Sequence, residues 1–130
     1  MFRVLIADDS AAVREGLISL LGGHPQFEIV GGAADGLEAV QMTHQLTPDL
    51  VIMDAQMPRL DGIEATRRIK RAFPMVGILF FSVFIEYVEA GLAAGADGYL
   101  PKDCEPDQLI AMASEIVTGI RSKAEERKRR

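Results

Sequence analysis

Polar and apolar positions along this chain follow two different periods. Five short apolar runs read as strands: Phe2–Ala7, Phe27–Val30, Asp49–Met53, Val76–Phe81 and Asp97–Leu100. Between them the apolar residues recur at helical spacing. Ala11–Leu21 carries Val13, Leu17, Leu20 and Leu21, and Asp35–Leu46 carries Leu37, Val40 and Leu46 as its inward positions. Gly62–Ala72, Phe84–Ala94 and Pro106 to about Ile120 complete the helices. The last of these sets Leu109, Met112, Ile116 and Ile120 on one face. Gly22-Gly23-His24-Pro25, Thr47-Pro48 and Gly95 break the periodic segments.

The result is five strand-then-helix units. Regular alternation predicts an open α/β sheet with helices on both sides. The third and fourth strands are nearly continuous apolar runs, as expected of parallel strands buried on both faces. Five strands are too few for the eight-stranded α/β barrel.

At 130 residues the chain is expected to form one domain. Cys104 is its single cysteine, which excludes an internal disulfide and fits a reducing compartment. No apolar run reaches the roughly 18 residues of a membrane span, and Arg3 interrupts any signal-peptide core. A cytoplasmic protein is expected. Residues 121–130 hold six Lys/Arg and two Glu, a net +4, so the other 120 residues carry −9 of the total −5. An acidic body is a poor binder of nucleic acid on its own. The expected layout is a domain over 1–120 and a charged tail or start of a linker over 121–130.

Ligands of open parallel sheets bind beyond the carboxyl ends of the strands. Asp8 and Asp9 follow the first strand, Asp54 the third, Ser82 the fourth and Lys102 the fifth. After the second come Gly31 to Ala34, which carry no functional group. Three carboxylates, a hydroxyl and an amine are thus predicted at one edge. Clustered carboxylates need neutralising, and Mg²⁺ takes oxygen ligands of this kind. A carboxylate is also able to form an aspartyl-phosphate, with an ammonium and a hydroxyl to steady the phosphoryl oxygens. Taken singly, these residues mean little. Asp9 or Ser10 suits a helix cap, and Asp35 and Asp61 each precede a Glu by three residues, as in a capping box.

The joint placement resembles the receiver domains of bacterial two-component response regulators, over about residues 2–120. The resemblance rests on Asp8-Asp9-Ser10, on Asp54-Ala-Gln-Met-Pro-Arg-Leu-Asp-Gly62, on Ser82 and on Gly95-Ala-Asp-Gly-Tyr-Leu-Pro-Lys-Asp103. The last stretch looks most like the NarL/LuxR-type subclass, whose members carry a helix-turn-helix output domain. It implies a flavodoxin-like (CheY-like) doubly wound sheet of order 2-1-3-4-5 with five helices. It also implies Asp54 as phosphoacceptor from a sensor histidine kinase, with Mg²⁺ held by Asp9, Asp8, Asp54 and the backbone carbonyl of Gln56. Lys102 would pair first with Asp54 and then with the phosphoryl group. Ser82 would swing in, and Tyr99 would follow, changing the surface of the fourth helix, fifth strand and fifth helix. Phosphorylation-linked homodimerisation and DNA binding through an output domain outside these residues are further implications. Catalysis would be limited to the domain's own phosphorylation and dephosphorylation.

Three positions depart from the family pattern. Val83 stands where a small residue is usual, Pro101 precedes the lysine, and Glu105 replaces a better helix cap before Pro106. Phe84, two residues beyond Ser82, is expected with Val83 to hinder water attack on the phosphorylated site. Three other readings remain open from sequence: a stand-alone single-domain regulator acting by protein–protein contact, a haloacid-dehalogenase-type phosphatase, and a receiver-like module that is never phosphorylated. The phosphatase needs a second Asp two residues after the nucleophile, where Gln56 stands. The acidic pair, Asp54 and Lys102 weigh against the unphosphorylated module. His24 and His44 lack companion ligands, Cys104 is expected to pack, and the methionines are expected in the core and turns.

Overall fold

Alternate residues of the central strands face opposite ways, and both ways are apolar. A computed structural model describes residues 1–129. Its strands are β1 (Phe2–Ala7), β2 (Phe27–Ala33), β3 (Leu50–Met53), β4 (Gly77–Ser82) and β5 (Gly98–Pro101). They form one parallel sheet in the order β2-β1-β3-β4-β5. Val4, Ile6, Leu50, Ile52, Leu79 and Phe81 face one layer, and Leu5, Ala7, Val51, Met53, Ile78 and Phe80 face the other. Each fully buried Leu or Ile contributes about 1.5–3 kcal/mol, so this double-sided core dominates the fold.

The helices are α1 (Ala11–Gly22), α2 (Gly36–Leu46), α3 (Gly62–Ala72), α4 (Val88–Ala94) and α5 (Pro106–Arg129). Leu17 and Leu21 of α1 and Leu109, Ala113, Ile116 and Val117 of α5 cover the first face. Ala39 of α2 and Ala65 and Ile69 of α3 cover the second. Side-chain caps start three helices: Ser10 accepts from Val13 N–H (3.3 Å), Asp35 from Glu38 N–H (2.8 Å) and Asp61 from Glu64 N–H (2.8 Å). The capping roles of Ser10, Asp35 and Asp61 leave Asp9 free of that duty.

Several boundaries differ from the sequence expectation. β2 continues through Gly31, Gly32 and Ala33, which pair with Leu5, Ile6 and Ala7 after a register shift. The buried face of α2 is Gly36, Ala39 and Thr43, while Leu37 and Leu46 are only half-buried. A 3-10 turn, Ile85–Tyr87, precedes α4, so that helix starts later than the periodicity predicts. The expected charged tail from residue 121 is helical through Arg129, continuous with α5. Arg130, its last residue, lies outside the described residues. Among the described residues no helix is long and apolar enough to cross a membrane.

Candidate functional site

The parallel ladder delivers the polar residues to one edge. Asp8 N–H donates to Ala33 O (3.0 Å), Asp54 N–H to Ala7 O (2.9 Å) and Lys102 N–H to Ser82 O (3.2 Å). Each is the first residue past its strand, so the sheet's own hydrogen bonds set their spacing. Pro101 does not interrupt this. It ends the edge strand β5, where an absent N–H costs no ladder bond.

Asp8 and Asp54 are buried, with 1% and 6% of their surface exposed, while Asp9 is open to solvent. Each of the three offers a carboxylate oxygen, all within 4.8 Å of one another. The Lys102 ammonium sits between the two buried ones, 2.7 Å from Asp8 Oδ2 and 3.3 Å from Asp54 Oδ2. The expected Asp54 pairing is therefore present, but Asp8 is the nearer partner. Burial and the neighbouring Asp8 charge raise the Asp54 carboxyl pKa, and Lys102 only partly opposes this. Burial disfavours the Lys102 ammonium, but the bond to Asp8 and the Asp54 charge outweigh it and raise the pKa. Three carboxylates against one ammonium leave a surplus of negative charge. An oxygen-only donor set of that charge fits a hard divalent cation.

The surrounding loops are tightly held. Ser10 N–H donates to Asp8 Oδ1 (2.9 Å), and Arg14 Nη1 donates to the Asp8 carbonyl (2.7 Å). Gly62 N–H donates to Ala55 O (2.9 Å), and a Cβ at Gly62 would meet the Asp54 carbonyl oxygen at 1.9 Å. Only glycine permits that approach. Arg59, with φ +66°, bonds Asp35 Oδ2 at 2.9 Å and straps the β3–α3 connection to α2.

The other expected residues are placed as follows. Ser82 is buried, and its hydroxyl accepts from Phe84 N–H at 3.2 Å. Tyr99 is half-buried against the core. Gln56 is exposed, and its side chain donates to the Tyr87 hydroxyl at 2.5 Å. Val83 is 64% exposed and lines a surface groove with Ile85 and Tyr99. Gln108 accepts from Glu105 N–H (2.9 Å), supplying one half of a capping box. Cys104 packs against the core, and burial followed by the Asp103 charge pushes its thiol pKa up. The His24 ring lies tilted against Phe27, and His44 meets Phe73 edge-on. Met53 and Met57 are buried, whereas Met1 and Met75 are exposed.

Sequence reading missed Tyr87. It lines a cleft of about 500 Å³ with Asp9, Gln56 and Met57. Its one signal was the three-residue spacing from Phe84, which sets both rings on one side of a helical turn.

A five-stranded 2-1-3-4-5 sheet with an acidic cluster and a lysine at its carboxyl edge defines a receiver domain of two-component response regulators. Residues 4–114 match the response regulator receiver domain family, and the chain belongs to it. Among curated proteins it is similar to the transcriptional regulatory protein DegU of Brevibacillus brevis, 36% identical over 119 residues, 90% of this chain and 50% of that protein. It is 42% identical over 102 residues to the response regulator protein VraR of Staphylococcus aureus, 77% of this chain and 49% of that protein. The chain thus spans about half the length of these relatives. A solved LuxR-family response regulator from Aurantimonas sp. SI85-9A1 superposes with a TM-score of 0.87 at 35% identity, covering 92% of this chain and 86% of that one. A CheY-like receiver from Methanospirillum hungatei JF-1 shares the fold, with a TM-score of 0.87 at 22% identity over 95% of this chain and 98% of its own.

Proposed function

We propose that Asp54 accepts a phosphoryl group from a sensor histidine kinase and that the domain thereby switches an output. The observation that supports this best is the buried Asp54 carboxylate, 3.3 Å from the Lys102 ammonium and within 4.8 Å of the Asp8 and Asp9 oxygens. An Asp54 oxygen bonds to phosphorus as the donor's P–N bond breaks. Lys102, already between Asp8 and Asp54, follows the new negative charge onto the phosphoryl oxygens. Ser82 gives up the Phe84 N–H to donate to a phosphoryl oxygen, and Tyr99 moves inward behind it. Asp8, Asp9, Asp54 and the Gln56 carbonyl would hold Mg²⁺. When bound, it supplies positive charge against the phosphoryl oxygens.

The reading as a signalling domain, and not a hydrolase, is supported at Gln56. Its amide carries no transferable carboxyl proton and is engaged by Tyr87. A DNA-binding output, homodimerisation on phosphorylation and a cytoplasmic location form part of the same proposal. The DNA-binding output is supported by similarity to a transcriptional regulator and to a LuxR-family structure, and the other two rest on the family resemblance.

Incubation with acetyl phosphate and MgCl₂ is expected to retard the protein on a phosphate-affinity gel and to add one phosphoryl mass. Asp54→Asn is expected to lose both signals. Retention of the phosphoryl group by Asp54→Asn would disprove the assignment.

A further inference from the structure

The β4–α4 connection carries residues that phosphoryl transfer leaves unused. Val83 and Ile85 are 64% and 74% exposed, and Phe84 between them, 38% exposed, is held by a neighbouring ring. Its ring meets the Tyr87 ring edge-on, with centroids 5.8 Å apart and planes at 80°. The Tyr87 hydroxyl accepts from Gln56 Nε2 at 2.5 Å. Gln56 lies two residues beyond Asp54, on a different connection, and 31 positions from Tyr87. At the inner end, Phe84 N–H donates to the Ser82 hydroxyl at 3.2 Å. A continuous run of contacts therefore leads from Ser82, through Phe84 and Tyr87, to Gln56. The cleft that Tyr87 and Gln56 line also contains Asp9, the exposed member of the acidic cluster.

We infer that Gln56 and Tyr87 form a latch across the mouth of the Asp54 site, which holds the β4–α4 connection at rest and slows the entry of water and small phosphodonors. The gating half of this rests on the phosphoacceptor role of Asp54. The latch is an exposed hydrogen bond between uncharged groups, which shifts an opening equilibrium by roughly 2- to 10-fold. It gates and does not seal.

The test uses the full chain with Tyr87→Phe, Gln56→Ala and the double variant. Tyr87→Phe keeps the ring that Phe84 touches and removes only the hydroxyl. Two quantities are measured: amide hydrogen exchange across residues 83–92 without phosphodonor, and the half-life of the phosphoryl group after acetyl phosphate is removed. Each single variant is expected to speed exchange there by about 2- to 10-fold, to leave β1 and β3 unchanged, and to shorten the half-life by a similar factor. The double variant is expected to go no further than the larger single effect. Unchanged exchange in Tyr87→Phe, or fully additive effects of the two variants, overturns the latch. Faster exchange with an unchanged half-life overturns its gating role. If exchange responds as expected but even the wild-type chain takes up no phosphoryl group, the phosphoacceptor reading fails and the latch itself stands.

Discussion

Lys102 holds one ammonium between two buried carboxylates, and its loss would be felt most where both are charged. Its Nζ lies 2.7 Å from Asp8 and 3.3 Å from Asp54. In Lys102→Met the two acids face each other with no positive charge between them. The Asp54 pKa, already raised by burial and by Asp8, then moves further upward. A carboxyl whose folded pKa is raised holds a proton that the unfolded chain releases. Its contribution to stability is present below the ordinary value of 3.8 and is lost as pH rises through the folded value. Urea unfolding in EDTA is therefore expected to give similar midpoints for wild type and Lys102→Met near pH 4. Toward pH 8 the variant is expected to fall behind by about 1–3 kcal/mol, less than for a fully desolvated pair because the lysine is partly exposed. A gap of the same size at every pH would count against this account.

Helices and loops obey packing that single residues decide. At Gly62 the first turn of α3 presses on the β3–α3 connection, and an added Cβ would lie 1.9 Å from a backbone oxygen. No side chain is available to yield, so Gly62→Ala is expected to cost about 3 kcal/mol or more in urea unfolding. Gly119 in α5 has nothing within 4 Å of the same built atom. Gly119→Ala is expected to stabilise by about 0.5–1 kcal/mol through helix propensity alone. Effects of the same sign at both positions would sink the explanation. The same locality explains which elements could be read from sequence. The bounds of α3 were legible because Asp61 caps one end and Phe73-Pro74 closes the other within a few residues. The inner face of α2 was not, because its buried positions Gly36 and Ala39 are small where the helix rides against Leu60. The bound of α5 falls near Ile120 on apolar periodicity, which stops there, although a charged run of this kind also suits a solvated helix end; Arg, Lys, Ala and Glu keep good helix propensity with no glycine or proline to halt it. Asp8, Asp54, Ser82 and Lys102 were legible as a set because topology places every strand end on one edge. Tyr87 was not, because its tie to Gln56 crosses 31 positions with no pattern to announce it.

On the scale of the whole molecule, two apolar faces consume the sheet, and charge is left to gather at its carboxyl edge. There Asp8, Asp9 and Asp54 converge in a body that already carries −9 outside residues 121–130. Their mutual repulsion is a standing cost to the fold when no divalent cation is bound. A cation that binds the folded chain alone removes that cost and adds RT ln(1 + [L]/Kd), about 2.7 kcal/mol at 100-fold excess over Kd. For a domain of this size, MgCl₂ near saturation is expected to raise the thermal midpoint by roughly 5–10 °C. Asp9→Asn, which removes the exposed member of the cluster, is expected to lose most of that rise. Asp61→Asn is expected to keep it, because Asp61 serves as the cap of α3. NaCl at matched ionic strength screens repulsion over the whole surface without filling the site, so its effect is expected to be much smaller. If NaCl raised the midpoint as far as MgCl₂, or if Asp61→Asn and Asp9→Asn lost the shift equally, the edge would be a general acidic surface and not a divalent-cation site.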